Sequence, residues 1–74
     1  MDFAEQLGFR IASLRRQKGL TQSKLCQASG LRQPHLSQIE KGKFWMRLET
    51  LEAICKGLGL HPDELMRGIR IKIN

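Results

Sequence analysis

Amide and hydroxyl side chains are clustered in one short stretch of the chain, where Gln33, Ser37 and Gln38 lie at helical spacing. Leu36 and Ile39 fall between and beside them, so a helix over this stretch has one apolar and one polar side. A glutamine amide can form two hydrogen bonds with adenine, and a serine hydroxyl can contact several base edges. The pattern therefore predicts a helix whose polar side enters the major groove of DNA.

Residues that supply nucleophiles or metal ligands are few and are not grouped. Cys26 and Cys55 show no C-x-x-C or Cys/His spacing, and His35 and His61 lack neighbouring acids at ligand spacing. No Ser/His/Asp or Cys/His arrangement indicates nucleophilic catalysis. We expect no enzyme activity, no cofactor and no metal, and we expect the cysteines to be small buried thiols rather than a redox sensor.

Positive charge is concentrated in one part of the chain. From Gln6 to Lys43 there are eight basic residues and a single acid, Glu40, which gives a net charge of +7. The other residues carry five bases and six acids, a net charge of −1. Such asymmetry is typical of a protein that binds a polyanion, although a solvated basic surface would also produce it.

Apolar periodicity and glycine positions predict five helices in one domain over residues 1–68. The first follows an N-cap at Asp2 and ends at Gly19, and Gly8 inside it indicates a close contact with another helix. The others are expected within 21–30, 33–42, 48–59 and 61–68. The residues predicted to face inward are Phe3, Leu7, Ile11, Leu14, Leu25, Cys26, Ala28, Leu36, Ile39, Leu48, Leu51, Ile54, Cys55 and Leu58.

Residues 69–74 have a different pattern. Ile69, Ile71 and Ile73 alternate with polar residues, which is the period of a β-strand. Because the rest of the sequence offers no second strand, three interpretations stay open: a frayed tail, a strand added to another protein, or a strand paired with its own copy. Of these we favour the symmetric ribbon, in which the three isoleucines form a dimer contact.

An ordered series of residues resembles the lambda-repressor/Cro-like (XRE-type) helix-turn-helix family. The series is Leu7-Gly8-Phe9-Arg10-Ile11, Leu14-Arg15, Gly19-Leu20-Thr21-Gln22, Leu25, Gly30-Leu31, Leu36-Ser37-Gln38-Ile39-Glu40-Lys41-Gly42, Leu48-Glu49-Thr50-Leu51, Leu58-Gly59-Leu60 and Asp63-Glu64-Leu65. It spans roughly residues 7–66. The resemblance implies a compact all-α domain of five helices with the helix-turn-helix at residues 21–41, to which the sequence pattern adds a short C-terminal β-strand.

The resemblance also implies roles for individual residues. The base contacts that it implies are Gln33, Ser37 and Gln38, and the phosphate contacts are Gln22, Lys41 and Lys43. Gln22 is further expected to brace Gln33. Arg15 and Glu40 match a structural ion pair between the first and third helices, so Glu40 is expected to have a structural role.

Several positions depart from the family pattern. Arg32 stands where Ser or Thr usually caps the recognition helix, and it either reaches a phosphate or stays solvated. Pro34 replaces a polar residue and can contact a thymine methyl group, and His35 can contact a phosphate. The loop Phe44-Trp45-Met46 is apolar where family loops are polar. It is expected to fill the core, with a protein-partner patch or insertion between bases as alternatives.

These observations predict a sequence-specific regulator of transcription that binds double-stranded DNA, acting as a homodimeric repressor on a palindromic operator. Two alternatives stay open: an antitoxin that holds a toxin protein and regulates its own operon, and a regulator of a restriction–modification operon. No apolar run approaches the roughly 20 residues of a membrane span, and residues 1–5 lack the features of a signal peptide. We therefore expect a cytoplasmic protein without a membrane partner.

Overall fold

Five α-helices account for most of the computed structural model, which describes residues 1–43 and 46–74. They are α1 (Phe3–Gln17), α2 (Gln22–Ser29), α3 (Gln33–Glu40), α4 (Leu48–Leu58) and α5 (Pro62–Leu65). The predicted all-α class and the predicted order of five helices are confirmed, although α5 ends at Leu65 rather than near Gly68. None of the described helices is long and apolar enough to cross a membrane.

Local caps determine where α1 and α2 begin and where α2 ends. Asp2 Oδ1 accepts a hydrogen bond from the Glu5 N–H at 2.8 Å, and the Asp2 N–H donates to Glu5 Oε1 at 3.0 Å. Thr21 Oγ1 accepts from the Lys24 N–H at 3.1 Å. Gly30 follows α2 with φ of +78°, a left-handed conformation that glycine adopts without steric cost. The predicted caps at Asp2, Thr21 and Gly30 are therefore confirmed.

The hydrophobic core forms where α1 packs against α3 and α2 packs against α4. All five helices contribute to it. Its largest fully buried side chains are Ile11, Leu25, Leu36, Ile39, Ile54 and Leu65. Burying one large aliphatic side chain contributes about 1.5–3 kcal/mol, so this shared core holds α2 and α3 in a fixed relative orientation.

Three residues predicted to face the core lie at the surface instead. Phe3 is 48% exposed and Leu48 is 79% exposed; each is the first residue of its helix, before the turns that pack. Ala28 is also exposed. Leu25 and Cys26 form the buried side of α2, and Ala28 lies about 110° around the helix axis from the centre of that side. These three predictions were wrong, since helical period alone does not show where packing stops.

The β-strand predicted for residues 69–74 is not formed, and the structure gives these residues neither helix nor strand. The described part of the chain offers no second strand to pair with them, and a strand without a partner leaves its backbone groups unpaired. Ile69 packs against the core, whereas Ile71 and Ile73 are exposed. The strand prediction was therefore wrong for the single chain.

Helices α1 and α3 come very close together at Gly8. A Cβ atom there would overlap the carbonyl oxygen of Ile39 and would lie 2.9 Å from the carbonyl oxygen of Glu40. Both oxygens belong to the backbone at the end of α3, so they cannot turn aside as a side chain can. The predicted close helix contact at Gly8 is confirmed.

Gly8→Ala is expected to lower the free energy of unfolding by about 1–3 kcal/mol through overpacking, although alanine favours a helix by about 1 kcal/mol. Gly57→Ala in α4 is the matched control. Its Cβ would meet Leu25 Cδ1, the end of a side chain that can move, at 2.9 Å, so it should lower the free energy of unfolding by less than Gly8→Ala. Urea unfolding followed by circular dichroism measures both variants. Equal losses would contradict a special requirement for glycine between α1 and α3.

Candidate nucleic-acid interface

The polar side of α3 faces solvent. Gln33 and Gln38 are exposed and Ser37 is half-buried, while Leu36 and Ile39 on the opposite side are buried in the core. The helix therefore presents amide and hydroxyl groups outward from a fixed support. A B-DNA major groove admits an α-helix, and these groups can hydrogen-bond its base edges.

The start of α3 is open to a negatively charged ligand. Arg32 is the N-cap residue, makes no side-chain capping hydrogen bond and is exposed. Pro34 is exposed in the first turn, where a missing N–H is tolerated, and His35 is half-buried. Neither α2 nor α3 has an acidic residue in its first turn, so no side chain of the helix's own first turn offsets the positive end of its dipole.

Six basic side chains on α1, α2 and the two ends of α3 are exposed. They are Arg16, Lys18, Lys24, Arg32, Lys41 and Lys43. In the sequence, Arg16, Lys18 and Lys24 contribute to the net charge of residues 6–43 and match no expected contact. Their positions beside the start of α2 were the available signal, because a phosphate bound at a helix N-terminus attracts nearby cations.

Arg10 contributes to the positive charge of residues 6–43 in the sequence but is used inside the domain. Its Nε donates to the Leu65 carbonyl oxygen at 3.1 Å, and its Nη2 donates to the Glu64 carbonyl oxygen at 3.0 Å. These carbonyls lie at the C-terminal end of α5, where a cation is favourable. Arg10 therefore ties α1 to α5, a role that sequence analysis missed.

Arg15 and Glu40 meet inside the domain, as the family resemblance implied. Arg15 Nε lies 2.7 Å from Glu40 Oε2 and Nη2 lies 3.1 Å from Oε1, with only 10% and 6% of the two side chains exposed. Arg15 Nη1 also donates to the Leu20 carbonyl oxygen at 2.8 Å. The arginine therefore links α1 to α3 and to the turn before α2.

Gln22 has a different neighbour from the one predicted. Its Nε2 donates to Glu40 Oε1 at 2.9 Å, and its hydrogen-bond partner is thus Glu40 and not Gln33. The reason is that Glu40, held by Arg15, brings a charged acceptor to the start of α2, and hydrogen bonds to charged acceptors are stronger than those between neutral amides. An amide nitrogen has two hydrogens, so one donor of Gln22 remains for a phosphate.

The loop Phe44-Trp45-Met46 is described only in part, because Phe44 and Trp45 lie outside the described residues. Met46 is half-buried and packs against the core. For Met46 this agrees with the expected core-filling role. Met46 therefore does not lie on an open apolar patch.

Cys26 and Cys55 are free and buried. Burial raises the pKa of both thiols, and the negative charges of Glu40 near Cys26 and Glu52 near Cys55 raise them further. A thiol with a raised pKa stays protonated and is a weak nucleophile. Across the described residues, no three or more His, Cys, Asp or Glu side chains are grouped as metal ligands.

Comparison with known proteins identifies sequence relatives. A family model described as helix-turn-helix matches residues 11–65, a range that contains all of α2 and α3. An uncharacterised HTH-type transcriptional regulator of Sinorhizobium fredii is 38% identical over 66 residues, covering 89% of this chain and 86% of that protein. The immunity repressor protein of Bacillus phage phi105 is 35% identical over 60 residues, which cover 81% of this chain and 42% of the repressor. This chain thus spans less than half of the phage protein.

Solved structures with a similar fold include restriction–modification controller proteins. C.AhdI from Aeromonas hydrophila superimposes with a TM-score of 0.81 at 31% identity, covering 84% of this chain and 94% of the controller. C.Esp1396I, solved as a tetramer in complex with its natural 35 base-pair operator, gives a TM-score of 0.84 at 28% identity, covering 90% and 88% of the two chains.

Removing the Glu40 carboxylate leaves the charge of Arg15 buried without a partner. Glu40→Ala is therefore expected to lower the free energy of unfolding by about 3–5 kcal/mol. Glu52→Ala is the surface control, because its pair with Lys56 is exposed and 3.8 Å long, and it should change stability by no more than about 0.5 kcal/mol. Urea unfolding measures both. A loss for Glu40→Ala as small as that of the control would show that the pair does not hold α1 to α3.

Proposed function

The chain belongs to the helix-turn-helix family of transcriptional regulators, and on this premise we propose that it represses transcription as a homodimer on a palindromic operator. The observation that carries the proposal is the polar face of α3, where Gln33 and Gln38 are exposed while the opposite face is buried. In a dimer, two such helices enter successive major grooves about 34 Å apart. Binding over a promoter excludes RNA polymerase, which fits the similarity to a phage immunity repressor.

Base reading is assigned in this proposal to Gln33, Pro34, Ser37 and Gln38. The two glutamine amides are exposed and suit adenine, which offers one donor and one acceptor in the major groove. Pro34 is also exposed and presents an apolar ring that suits a thymine methyl group. Sequence choice therefore rests on a few short side chains.

Phosphate binding is assigned to side chains that border this face. The proposed contacts are Gln22, Arg32, His35, Lys41 and Lys43. Lys41 and Lys43 are exposed just after α3, and Gln22 keeps one amide hydrogen free beside the start of α2. Such contacts supply affinity and fix the position of the protein on the duplex without reading sequence.

This function makes the protein a non-enzymatic regulator that works in the cytoplasm, where its operator DNA lies. The antitoxin alternative depends on an added C-terminal strand, which the single chain does not form, and on an exposed patch at Phe44-Trp45-Met46. Of these residues the structure describes Met46, which is packed against the core. No observation on the described residues favours a toxin partner.

Control of a restriction–modification operon is a second candidate within the same functional class. It is favoured by the similarity to controller proteins, which extends over 94% of C.AhdI at 31% identity. Endonuclease and methyltransferase genes beside the gene for this chain, with binding upstream of them, would favour this candidate over repression of an unrelated promoter.

Gln33→Ala and Gln38→Ala are each expected to weaken binding to the cognate site by about 1–3 kcal/mol with little change on random DNA. The cognate site is first selected from random DNA, and affinities are then measured by fluorescence anisotropy. Gln27→Ala removes an exposed amide from α2 instead and serves as the control. If Gln33→Ala bound the selected site as the parent does, α3 would not be the reading helix.

Lys43→Ala is expected to weaken binding to cognate and random DNA equally, because a phosphate contact does not depend on sequence. The slope of log affinity against log salt should also fall by about one. Lys56→Ala removes a base that is exposed on α4 and should leave the slope unchanged. A change in specificity without a change in slope would argue against a phosphate contact at Lys43.

A further inference from the structure

Residues 69–74, called here the isoleucine segment, are held against α1 at their start. Gln6 Nε2 donates to the Arg70 carbonyl oxygen at 2.6 Å, and the Arg70 N–H donates to Gln6 Oε1 at 2.9 Å. One side-chain amide thus satisfies both backbone groups of Arg70. Ile69 packs against the core beside this contact. The segment therefore leaves the domain from a fixed point.

The two isoleucine side chains that follow Arg70 are mostly exposed to solvent in the single chain. Ile71 is 62% exposed and Ile73 is 82% exposed, and they alternate with Lys72 and Asn74. In an extended backbone this alternation gives one apolar and one polar side. An exposed apolar surface of this kind, rimmed by polar residues, is typical of a site that another molecule covers.

Charge disfavours pairing between two isoleucine segments. An antiparallel ribbon centred on Lys72 sets Lys72 opposite its own copy, and a ribbon centred on Ile71 sets Arg70 opposite Lys72. Like charges directly opposed across two strands are destabilising. An acidic surface is therefore a better partner for this segment than a second basic strand, which argues against the symmetric ribbon.

An apolar groove with acidic residues around it lies between α4 and α5 of the same molecule. This groove of about 390 Å³ is lined by Cys55, Leu60, His61 and Pro62 and by the neutral pair of Glu52 with Lys56. At its edge Glu64 Oε1 accepts a hydrogen bond from the His61 N–H at 2.9 Å. The volume of the groove falls in the range of roughly 300–1,000 Å³ that holds small apolar ligands. Residues 48–65 carry four acids and one base, a net charge of −3, whereas residues 66–74 carry three bases and no acid, a net charge of +3.

We propose that the isoleucine segment of one copy docks in the α4–α5 groove of a second copy. Ile71 and Ile73 enter the groove, and Lys72 lies toward the acidic residues around it. In a twofold dimer the exchange is reciprocal, so both segments and both grooves are covered. The inference rests on the proposed homodimer and names the surface that forms it.

Sedimentation equilibrium of the full chain without DNA tests the role of the segment. The double variant Ile71→Ser, Ile73→Ser is expected to raise the dimer Kd at least about tenfold, since it removes apolar area from both docking sites. Leu48→Ser is the matched control, because Leu48 is 79% exposed but lies outside the segment and the groove lining, and its Kd should match that of the parent. A double variant that dimerises like the parent, or a parent that stays monomeric, would overturn the proposal.

Disulfide trapping identifies where the segment binds. Ile71→Cys and Glu52→Cys are combined in a Cys26→Ala, Cys55→Ala background, because Glu52 is exposed in the groove lining whereas Cys55 is buried, and the sample is oxidised. Peptide mapping by mass spectrometry is expected to find position 71 of one copy linked to position 52 of the other, and restoring Glu52 should abolish the link. A link between the two positions 71, a link within one chain, or no link to position 52 would each overturn the proposal.

Both measurements omit DNA, so their failure is distinct from failure of the proposed function. A dimer that reads its site through Gln33 but forms without the segment or the groove would overturn the docking inference alone. A dimer formed through this groove that ignores DNA would overturn the proposed function alone.

Discussion

The buried ion pair between Arg15 and Glu40 fixes the relation of α1, α2 and α3, and the polar face of α3 depends on it. Two charges removed from water are costly unless their remaining hydrogen-bonding groups are satisfied. Here the Leu20 carbonyl and the Gln22 amide supply the additional partners. Because these partners lie at the start of α2 and the carboxylate lies at the end of α3, satisfying the charges also sets the geometry of the two helices.

Helix α1 is the support for the rest of the domain. Its small residue at Gly8 lets the backbone of α3 approach closely, and its Arg10 binds the carbonyl end of α5. Its first turns also hold the chain at Arg70 through Gln6. Gln6 and Arg10, polar residues of α1, thus form hydrogen bonds within the domain. The exposed sides of α2 and α3 remain available to a ligand.

The charge seen by a ligand differs from the charge counted along the sequence. Among residues 6–43, Arg10 is bonded to backbone carbonyls and Arg15 is paired with Glu40, the single acid of this stretch. The six bases that remain are all exposed, and the single acid of the stretch is already paired with Arg15. This part of the surface therefore has an excess of positive charge, which favours a polyanion and makes binding dependent on salt.

Features that depend on near neighbours in the chain were determined by the sequence: the caps at Asp2 and Thr21, the left-handed Gly30, and the polar side of α3. Each follows from interactions within about four residues or from helical period. The tertiary structure alone decided which polar groups meet across the fold, since the partners of Arg10, Gln6 and Gln22 lie 55, 64 and 18 residues away. It also decided that residues 69–74 form no strand, because a strand needs a partner that a local pattern cannot supply.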